Sequence, residues 1–273
     1  MGSPRAEGQG LRADLRGRCA LITGSTQGLG LAAARRFAEA GCHVILNGFG
    51  AADAIAAIRA DLERRHGVRV LYSAADLRRP ADIEGMIAAG LDAFGAVDIL
   101  VNNAVVRHAA PVDAFGADRW DEALAVNLSA AFHTIRLALP AMKRRGWGRI
   151  INVSSIYGLR AAPNRVGYVT TKTALLGLTR AVALETIGQD ITCNAICPGT
   201  SETPIHEAAL HELMTSASLT REEAERKLLA GKQPTGRLVS AEVVASLMLF
   251  LCGPDSRDIT GTELPVDGGW SIS

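Results

Sequence analysis

The chain has 273 residues, of which 48% are hydrophobic and only 4% aromatic, and its formal net charge at pH 7 is +1. Because the charge is nearly balanced, the composition predicts neither a basic surface for nucleic acid nor an acidic tail. No apolar run reaches the roughly 18 residues of a membrane helix, and the first residues lack the apolar segment of a signal peptide. We therefore expect a globular, cytoplasmic protein with neither nucleic-acid nor membrane partners.

The cysteines and histidines show no spacing typical of a disulfide framework or a metal site. The five cysteines are Cys19, Cys42, Cys193, Cys197 and Cys252. Their odd number, wide spacing and mostly apolar neighbours favour reduced thiols in the core. Among the histidines only His206 and His211 lie close together, and their i,i+5 separation puts them on different helix faces. We expect no metal.

Short apolar or β-branched runs alternate with amphipathic segments along most of the chain. The predicted strands are Cys19–Thr23, His43–Asn47, Val68–Ser73, Ile99–Asn102, Arg149–Ser154, Ile191–Ile196 and Thr262–Val266. The predicted helices are Leu29–Ala40, Ala51–Arg65, Pro80–Phe94, Arg119–Arg145, Tyr168–Ile187 and Ala241–Leu251. This alternation is typical of a parallel sheet covered on both faces, with right-handed crossovers. We predict an α/β protein with a single-domain, doubly wound Rossmann fold of about seven strands over residues 17–273, after a flexible lead-in over residues 1–16.

Residues 200–235 depart from the alternation because they are polar and have a helical pattern. They follow a predicted strand, and Thr220-x-x-Glu223 has the pattern of a capping box. Insertions at the carboxyl ends of strands often form substrate lids, whereas a helical pair packed at the edge is the structural alternative. We expect a helical substrate lid over residues 200–235.

A glycine-rich turn, Thr23-Gly24-Ser25-Thr26-Gln27-Gly28-Leu29-Gly30, connects the first predicted strand to an alanine-rich helix. Glycines allow the backbone to approach a pyrophosphate closely, and the helix N-terminus supplies N–H donors and partial positive charge. The alternative is a turn that only packs the helix on the strand. Because the turn lies in the first βαβ unit, we expect it to bind a dinucleotide.

The spacing TGxxxGxG resembles the short-chain dehydrogenase/reductase family, and further motifs of that family follow in order. Asp76 follows the third strand, and Asn102-Asn103-Ala104-Val105 follows the fourth, with Val105 in place of a glycine; the PGxxxT segment is Pro198, Gly199 and Thr203. The resemblance implies that the cofactor is bound by Gly24, Thr26, Gly28, Leu29, Gly30, Phe49, Asp76, Leu77, Asn103, Ala104, Tyr168, Lys172, Pro198, Gly199 and Thr203.

The end of the second predicted strand bears on the choice between NAD and NADP. About 20 residues beyond a glycine turn, an acidic residue usually holds the ribose hydroxyls, whereas an arginine holds a 2′-phosphate. The segment Asn47-Gly48-Phe49-Gly50 has no acid, and no Lys or Arg lies at 25–27 or 49–53. A 2′-phosphate would lack a counter-charge, so we expect NAD, with NADP as the alternative.

Tyr168 and Lys172 lie four residues apart at the start of a predicted helix, so the phenol and the ammonium share one face. A nearby cation favours the phenolate and suits the phenol to proton transfer. Ser155 ends the strand RIINVSS thirteen residues before Tyr168, which matches the family's serine–tyrosine–lysine arrangement; Ser154 is the alternative. The resemblance implies that Ser155 fixes the substrate oxygen, that Tyr168 exchanges the proton, and that Lys172 also holds the nicotinamide ribose.

Asn127, in ALAVNLSAAF, matches the helix asparagine of the family. The resemblance implies that it supports a water-linked proton relay to Lys172, as a fourth catalytic residue. The alternative is a buried asparagine that satisfies a helix backbone. The family is commonly tetrameric, which implies a homotetramer paired through the helices at 119–145 and 168–187 and through the C-terminal strand.

Longer segments resemble the bacterial D-3-hydroxybutyrate dehydrogenases within that family, such as LNGFG (46–50), WDEALAVNLSAAFH (120–133) and ITGTELPVDGGW (259–270). This resemblance implies hydride transfer between NAD and the secondary alcohol of a small anionic hydroxy acid, 3-hydroxybutyrate to acetoacetate. The places of the carboxylate-binding residues of that group hold Arg107, Tyr157, Arg165 and Ala209, and Thr200 replaces a tryptophan.

Arginine is suited to bidentate recognition of an anionic head group. We therefore predict a substrate site formed by Arg107, Ser155, Tyr157, Arg165 and Tyr168, although either arginine could instead extend over the rim of the pocket. Two further hypotheses stay open. One is an enzyme of the same family for a different hydroxy acid, a hydroxyalkyl sulfonate or a sugar derivative; the other is a non-catalytic regulatory protein that binds a dinucleotide.

Overall fold

The computed structural model of the protein describes residues 13–273. The strands are β1 (Cys19–Ile22), β2 (His43–Asn47), β3 (Val70–Ser73), β4 (Ile99–Asn102), β5 (Trp147–Val153), β6 (Asp190–Pro198) and β7 (Glu263–Val266). The α-helices are α1 (Gly28–Glu39), α2 (Ala52–His66), α3 (Pro80–Phe94), α4 (Ala117–Leu124), α5 (Ala130–Arg145), α6 (Val166–Glu185), α7 (Pro204–Ala217), α8 (Arg221–Leu229) and α9 (Ala241–Phe250).

The seven strands form one parallel sheet in the order β3-β2-β1-β4-β5-β6-β7. β1 pairs with β2 on one side and with β4 on the other, so that Leu21 lies between Ile45 and Leu100. The strand order therefore reverses between β1 and β4. In open α/β sheets, ligands bind at the carboxyl ends of the strands next to such a reversal. The predicted doubly wound α/β fold is confirmed.

Helices cover both faces of the sheet, which explains why its central strands are apolar throughout. Along each strand, neighbouring side chains point to opposite faces. Ile22 and Leu46 belong to a core cluster with α1 and α9, whereas Leu21 and Ile45 belong to a second cluster with α3, α5 and α6. Complete burial of such a side chain contributes roughly 1.5–3 kcal/mol. All five cysteines are buried without a disulfide, as predicted.

The long helix predicted over residues 119–145 is interrupted in its middle. Ala125–Ser129 form a π-helical turn between α4 and α5, so the helical run from Ala117 to Arg145 has three parts. The run ends at Gly146, whose φ of +64° closes the helix in the left-handed region that glycine adopts without strain. π-Turns inside helices frequently mark functional sites, and this one contains Asn127.

The insertion at residues 200–235 is helical, as predicted, and consists mainly of α7 and α8. The capping box is present: the Thr220 N–H donates to Glu223 Oε2 at 2.8 Å, and the Glu223 N–H donates to Thr220 Oγ1 at 3.3 Å. The insertion has a small apolar cluster that is separate from the main core and includes Leu210 and Leu229. The insertion therefore packs as a unit beside the sheet.

The lead-in predicted over residues 1–16 falls mainly on residues 1–12, which lie outside the described residues. Within the remainder, Leu15 is buried in the α1 side of the core, and its N–H donates to the Ala40 carbonyl at 3.0 Å. Packing thus begins before residue 17. None of the helices in residues 13–273 is long and apolar enough to span a membrane.

Candidate active site

The glycine turn after β1 has no room for a side chain at Gly24 or Gly30, and Gly24 and Gly28 have left-handed backbone angles. Gly24 and Gly28 have φ angles of +63° and +56°. A Cβ on Gly24 would lie 2.9 Å from Ala104 Cα, and one on Gly30 would lie 2.7 Å from Asn103 Nδ2. The contacts explain Gly24 and Gly30, and the positive φ explains Gly28. The cradle above the N-terminus of α1 fits a dinucleotide pyrophosphate.

The loop after β4 holds this turn in place. The Asn103 amide donates to the carbonyls of Thr23 and Gly24 at 2.9 and 3.0 Å, while Thr23 Oγ1 accepts from the N–H groups of Asn103 and Ala104. The sequence analysis placed Thr23 at the start of the glycine turn but assigned it no role in the site. Val105 has no positive φ, so the glycine that it replaces is not required for the backbone here.

The end of β2 is uncharged and tied to its neighbours. Asn47 donates through Nδ2 to the carbonyls of Ser73 and Ala75, at 3.2 and 3.1 Å. Thr26 Oγ1 donates to the Phe49 carbonyl at 2.9 Å, and the Phe49 side chain is 68% exposed beside the glycine turn. This edge therefore offers an apolar ring and backbone groups to the adenosine half of a dinucleotide.

Asp76 and Leu77 follow β3 on the same side of the sheet. Both oxygens of the Asp76 carboxylate accept from the guanidinium of Arg78, at 2.6 to 3.0 Å. These hydrogen bonds lower the pKa of Asp76 below its usual value. Leu77 is buried against the second core cluster, so any contact it makes with a cofactor uses its backbone or a small part of its side chain.

The structure brings Ser155, Tyr168 and Lys172 together at the carboxyl end of β5. Tyr168 is 8% exposed, and the Lys172 ammonium lies 5.8 Å from the centroid of its ring. Lys172 is 2% exposed and donates to the Val153 carbonyl at 2.6 Å. Burial, with a smaller contribution from the charge of Arg107, lowers the pKa of Lys172 to about 7.

The two candidate serines face different partners. Ser155 Oγ accepts from the N–H of Tyr157 at 3.1 Å, which leaves its own proton available to a substrate oxygen. Ser154 Oγ instead donates to the Lys172 carbonyl at 2.8 Å and is buried against α6. This arrangement favours Ser155 over Ser154 as the residue that contacts a substrate.

Asn127 lies in the π-turn and is buried. Its Oδ1 accepts from the N–H of Val106 at 2.8 Å, and its Nδ2 donates to the Val106 carbonyl at 3.0 Å and to Thr171 Oγ1 at 3.3 Å. The side chain thus binds loop backbone rather than the Lys172 ammonium. The predicted relay to Lys172 stays a prediction, and the side chain's observed contacts fix the β4 loop.

Aromatic rings form one wall beside Tyr168. The ring of Tyr157 lies edge-on to Tyr168 at 6.2 Å and to Trp270 at 5.4 Å. Arg160 fixes this wall by donating to the carbonyls of Trp270 and Ser273. The sequence analysis missed Trp270 and Arg160, since they are far apart in the chain and belong to no local pattern.

Two arginines border the aromatic pair. The Arg107 guanidinium lies 5.4 Å from the centroid of the Tyr168 ring, and Arg107 is exposed. Arg165 precedes α6 and is half-buried. Burial raises the pKa of the Tyr157 phenol, and the positive charge of Arg165 opposes this effect. Both predicted anion-binding residues therefore lie at the aromatic wall.

The segment after β6 approaches the glycine turn from the opposite side. A Cβ on Gly28 would lie 3.8 Å from Pro204 and 3.9 Å from Thr203 Cγ2. Pro198 ends β6, and Gly199 follows with its N–H donating to the Val266 carbonyl at 3.0 Å. The segment that is predicted to border the nicotinamide therefore lies next to the glycine turn.

Where this segment enters the insertion at residues 200–235, two polar contacts hold its backbone. The N–H of Thr200 donates to Gln233 Oε1, and Nδ1 of His206 lies 2.7 Å from the Ser201 carbonyl. Burial lowers the pKa of His206. Ala209, one helical turn after His206, offers only a methyl group, so a polar contact from α7 to a substrate would have to come from a neighbour such as His206.

Within residues 13–273, no three side chains of His, Cys, Asp or Glu are grouped to hold a metal ion. The residues that do converge are a dinucleotide cradle and a serine–tyrosine–lysine group at the carboxyl edge of a doubly wound sheet. The family model described as Enoyl-(Acyl carrier protein) reductase matches residues 24–271. The chain belongs to the short-chain dehydrogenase/reductase family and is an oxidoreductase that acts on hydroxyl groups with a nicotinamide cofactor.

Two curated relatives are D-beta-hydroxybutyrate dehydrogenases. The protein of Rhizobium meliloti (strain 1021) is 44% identical over 254 residues, which cover 93% of this chain and 98% of the relative. That of Cupriavidus necator is 43% identical over 256 residues, with coverage of 94% and 98%. Among solved structures, L-sorbose reductase from Gluconobacter frateurii, complexed with NADPH and L-sorbose, has a TM-score of 0.90 at 30% identity and covers 96% of this chain and 99% of its own.

Proposed function

We propose that the protein is an NAD-dependent dehydrogenase of a small anionic 3-hydroxy acid, with 3-hydroxybutyrate as substrate and acetoacetate as product. The observation that carries the proposal is the placement of Arg107 at the ring of Tyr168, because it puts a cation beside the group that would handle the substrate proton. The similarity to two D-beta-hydroxybutyrate dehydrogenases over almost their full lengths supports the same substrate class.

Each of the catalytic residues has a role that its surroundings allow. Ser155 donates a hydrogen bond to the substrate oxygen, since its Oγ accepts from the Tyr157 N–H and keeps its proton free. Tyr168 takes the hydroxyl proton during oxidation and returns it during reduction. Lys172 stabilises the phenolate and would hold the nicotinamide ribose; its burial keeps water away from the ammonium.

A nicotinamide dinucleotide, when bound, supplies the hydride acceptor or donor for this reaction. Gly24, Gly28 and Gly30 would hold its pyrophosphate at the N-terminus of α1, and Pro198, Gly199 and Thr203 would border its nicotinamide. The uncharged end of β2, with Phe49 exposed beside it, supports NAD over NADP, since a 2′-phosphate finds no cation there. The NADPH complex of the sorbose reductase makes this choice worth a direct test.

The substrate carboxylate would be held by Arg107 and Arg165 at the mouth of the aromatic wall. A guanidinium binds a carboxylate through two parallel hydrogen bonds, which fixes the orientation of the acid as well as its affinity. Tyr157 and Trp270 would contact the short aliphatic part of the substrate. This arrangement requires a substrate with a negative charge a few bonds from its carbinol carbon.

The experiment is NAD reduction by the purified protein with 3-hydroxybutyrate, longer 3-hydroxy acids, hydroxyalkyl sulfonates, sugar derivatives and neutral secondary alcohols. The proposal expects the highest kcat/KM with 3-hydroxybutyrate and NAD. Higher kcat/KM with another anion would favour the second candidate, a related dehydrogenase. This candidate is supported by the methyl of Ala209 and by Thr200, which leave the pocket without the contacts implied for the 3-hydroxybutyrate group. Dinucleotide binding without turnover of any substrate would favour a regulatory protein.

We further propose that the protein is a homotetramer paired through α5 and α6. Phe132 on α5 is 50% exposed and Leu184 on α6 is 72% exposed, and apolar side chains of this kind gain stability when a second copy covers them. Sedimentation analysis of the purified protein tests the assembly, and Phe132→Glu should weaken it. A monomer at all concentrations would overturn this proposal.

A further inference from the structure

Thr203 is the N-cap residue of α7, but its hydroxyl does not cap the helix. A threonine at this position ordinarily accepts a hydrogen bond from an N–H of the first helical turn. The Thr203 side chain forms no such bond. Its Oγ1 lies instead 3.0 Å from Nδ1 of His206, the third residue of the helix. The hydroxyl of Thr203 is therefore bound by a side chain and not by the helix backbone.

The Ser201 carbonyl determines which ring nitrogen of His206 carries a proton. Nδ1 lies 2.7 Å from this carbonyl oxygen, which can only accept a hydrogen bond. Nδ1 therefore carries a proton and donates it. The same holds for the neutral ring and for the imidazolium, because both nitrogens of an imidazolium are donors. The conclusion is thus independent of the charges that act on the ring, which are those of Arg107, Lys232 and Glu207.

This protonation state decides what the hydroxyl of Thr203 can do. A protonated Nδ1 has no lone pair for the hydroxyl hydrogen, so Thr203 Oγ1 can only accept from Nδ1–H. It shares this N–H with the Ser201 carbonyl in a three-centre hydrogen bond. Within residues 13–273, Thr203 Oγ1 forms no other hydrogen bond. The hydroxyl hydrogen of Thr203 is therefore available to a ligand.

Thr203 lies beside the glycine turn, where a bound dinucleotide would meet it. Its Cγ2 lies 3.9 Å from the position of a Cβ on Gly28. Thr203 also belongs to the segment after β6 that would border the nicotinamide. The nicotinamide carries a carboxamide, whose oxygen accepts hydrogen bonds as the oxygen of an asparagine side chain does. The free hydrogen of Thr203 and this oxygen are therefore complementary.

We propose that His206 is a positioning residue for the cofactor: its Nδ1–H binds Thr203 Oγ1 and thereby directs the hydroxyl hydrogen of Thr203 to the carboxamide oxygen of the nicotinamide. This inference rests on the proposed function, which places the nicotinamide beside Thr203. His206 has this effect without contacting the cofactor. The sequence analysis considered His206 only as a metal ligand, because its contact with Thr203 depends on how the first turn of α7 is built.

The test is calorimetric titration of the wild type and of His206→Leu with NADH and with ADP-ribose, which lacks the nicotinamide. Loss of one well-placed hydrogen bond should weaken NADH binding about three- to tenfold in His206→Leu. ADP-ribose should bind both proteins equally, which also shows that the variant is folded. His206→Asn is the matched control, since asparagine has the size and branching of leucine but offers an N–H donor at the δ position. It should bind NADH like the wild type.

A double-mutant cycle with Thr203→Val connects the effect to the hydroxyl. Thr203→Val removes the hydroxyl and keeps the shape of the side chain, so it should weaken NADH binding to the same extent as His206→Leu. The double variant should bind NADH no more weakly than Thr203→Val alone, because the two residues act through one hydrogen bond.

Four results would each overturn the inference: unchanged NADH binding in His206→Leu, an equal loss of ADP-ribose affinity, additive losses in the double variant, or failure of His206→Asn to restore the affinity. An equal loss of ADP-ribose affinity would show that His206 only maintains the local structure. If the wild type binds no NADH at all, the proposed function itself is wrong, and the inference fails with it.

Discussion

The side-chain amide of Asn127 binds both backbone groups of a single residue, Val106, by accepting from its N–H at 2.8 Å and donating to its carbonyl at 3.0 Å. Such a two-point contact fixes the backbone of the loop after β4, whose Arg107 guanidinium lies 5.4 Å from the centroid of the Tyr168 ring. Asn127 belongs to the π-turn at Ala125–Ser129, and its side chain is 2% exposed. A residue of an irregular helical turn thus helps to hold the loop that carries Arg107.

Asn127→Ala should lower both stability and activity. It leaves the N–H and carbonyl of Val106 without their partner, which costs about 1–3 kcal/mol of unfolding free energy for a buried group. Urea unfolding measures the loss, and kcat with a hydroxy acid should fall as well. Arg119→Ala, at an exposed position of α4 in the same helical run, is the control and should change the unfolding free energy by less than about 0.5 kcal/mol. Equal effects of the two substitutions would contradict the role of Asn127.

Tyr168→Phe should remove turnover while leaving dinucleotide binding intact. It deletes one oxygen, which is the proton-exchanging atom, and general acid–base catalysis by a positioned group contributes about 10²–10⁴ in rate. NADH binding, followed by fluorescence, should stay close to that of the wild type. Tyr157→Phe is the matched control, since it keeps a ring between Tyr168 and Trp270 and should retain most of kcat. Wild-type turnover in Tyr168→Phe would falsify the assignment.

Gly30→Ala should abolish dinucleotide binding. The added methyl would lie 2.7 Å from Asn103 Nδ2 and 2.8 Å from Ser25 Cα, so either the turn or the β4 loop must shift. Gly85→Ala is the control: Gly85 lies on the exposed face of α3, nothing lies within 4 Å of the added methyl, and alanine is the better helix former by about 1 kcal/mol. Calorimetric titration with NAD should show binding only in the control variant. Retained affinity for NAD in Gly30→Ala would mean that the dinucleotide does not bind in this cradle.

Lys172→Met should stabilise the fold in a pH-dependent way, although it removes activity. The folded-state pKa of Lys172, about 7, lies below the 10.5 of a free lysine. Between these values the unfolded chain binds a proton that the folded chain does not, so the contribution of Lys172 to stability rises with pH. The gain in Lys172→Met should therefore be greatest below about pH 7 and vanish near about pH 10. Urea unfolding at both ends of this range checks the sign; a gain that grows with pH would contradict it.

Arg165→Ala should separate anionic from neutral substrates. Because the guanidinium would contact the acid group and not the carbinol, KM for a hydroxy acid should rise about tenfold or more, while KM for a neutral secondary alcohol stays nearly constant. Steady-state kinetics with both substrates measures the ratio. Parallel increases would show that Arg165 shapes the pocket without recognising charge.

Much of the fold follows from local patterns along the chain. The seven strands were predicted with ends that differ by only a few residues from the observed ones, because apolar runs flanked by glycine and polar residues leave little choice of boundary. The glycine turn was also predictable, since the strand, the turn and the helix are consecutive. The capping box at Thr220 and Glu223 depends on a four-residue pattern and is present as expected.

Other parts of the site depend on contacts between distant segments. Nothing near Asn127 indicates a π-turn, because the apolar period of α4 and α5 continues on both sides of it. The edge-on packing of Tyr157 and Trp270 joins residues that are more than one hundred positions apart. The approach of Arg107 to Tyr168 likewise depends on the contacts that hold the β4 loop, and no local sequence pattern predicts these contacts.

The order of strands in the sheet has a consequence for the refolding chain. The glycine cradle follows β1, the loop with Arg107 follows β4, Ser155 follows β5 and the nicotinamide side follows β6, and these four strands are neighbours in the sheet. Parallel pairing of β1 with β4 alone joins residues about eighty positions apart, and such non-local contacts form late. A refolding chain should therefore regain dinucleotide binding and catalytic activity at the same time, when the last of these strands pairs. We expect no intermediate that binds the dinucleotide but lacks activity.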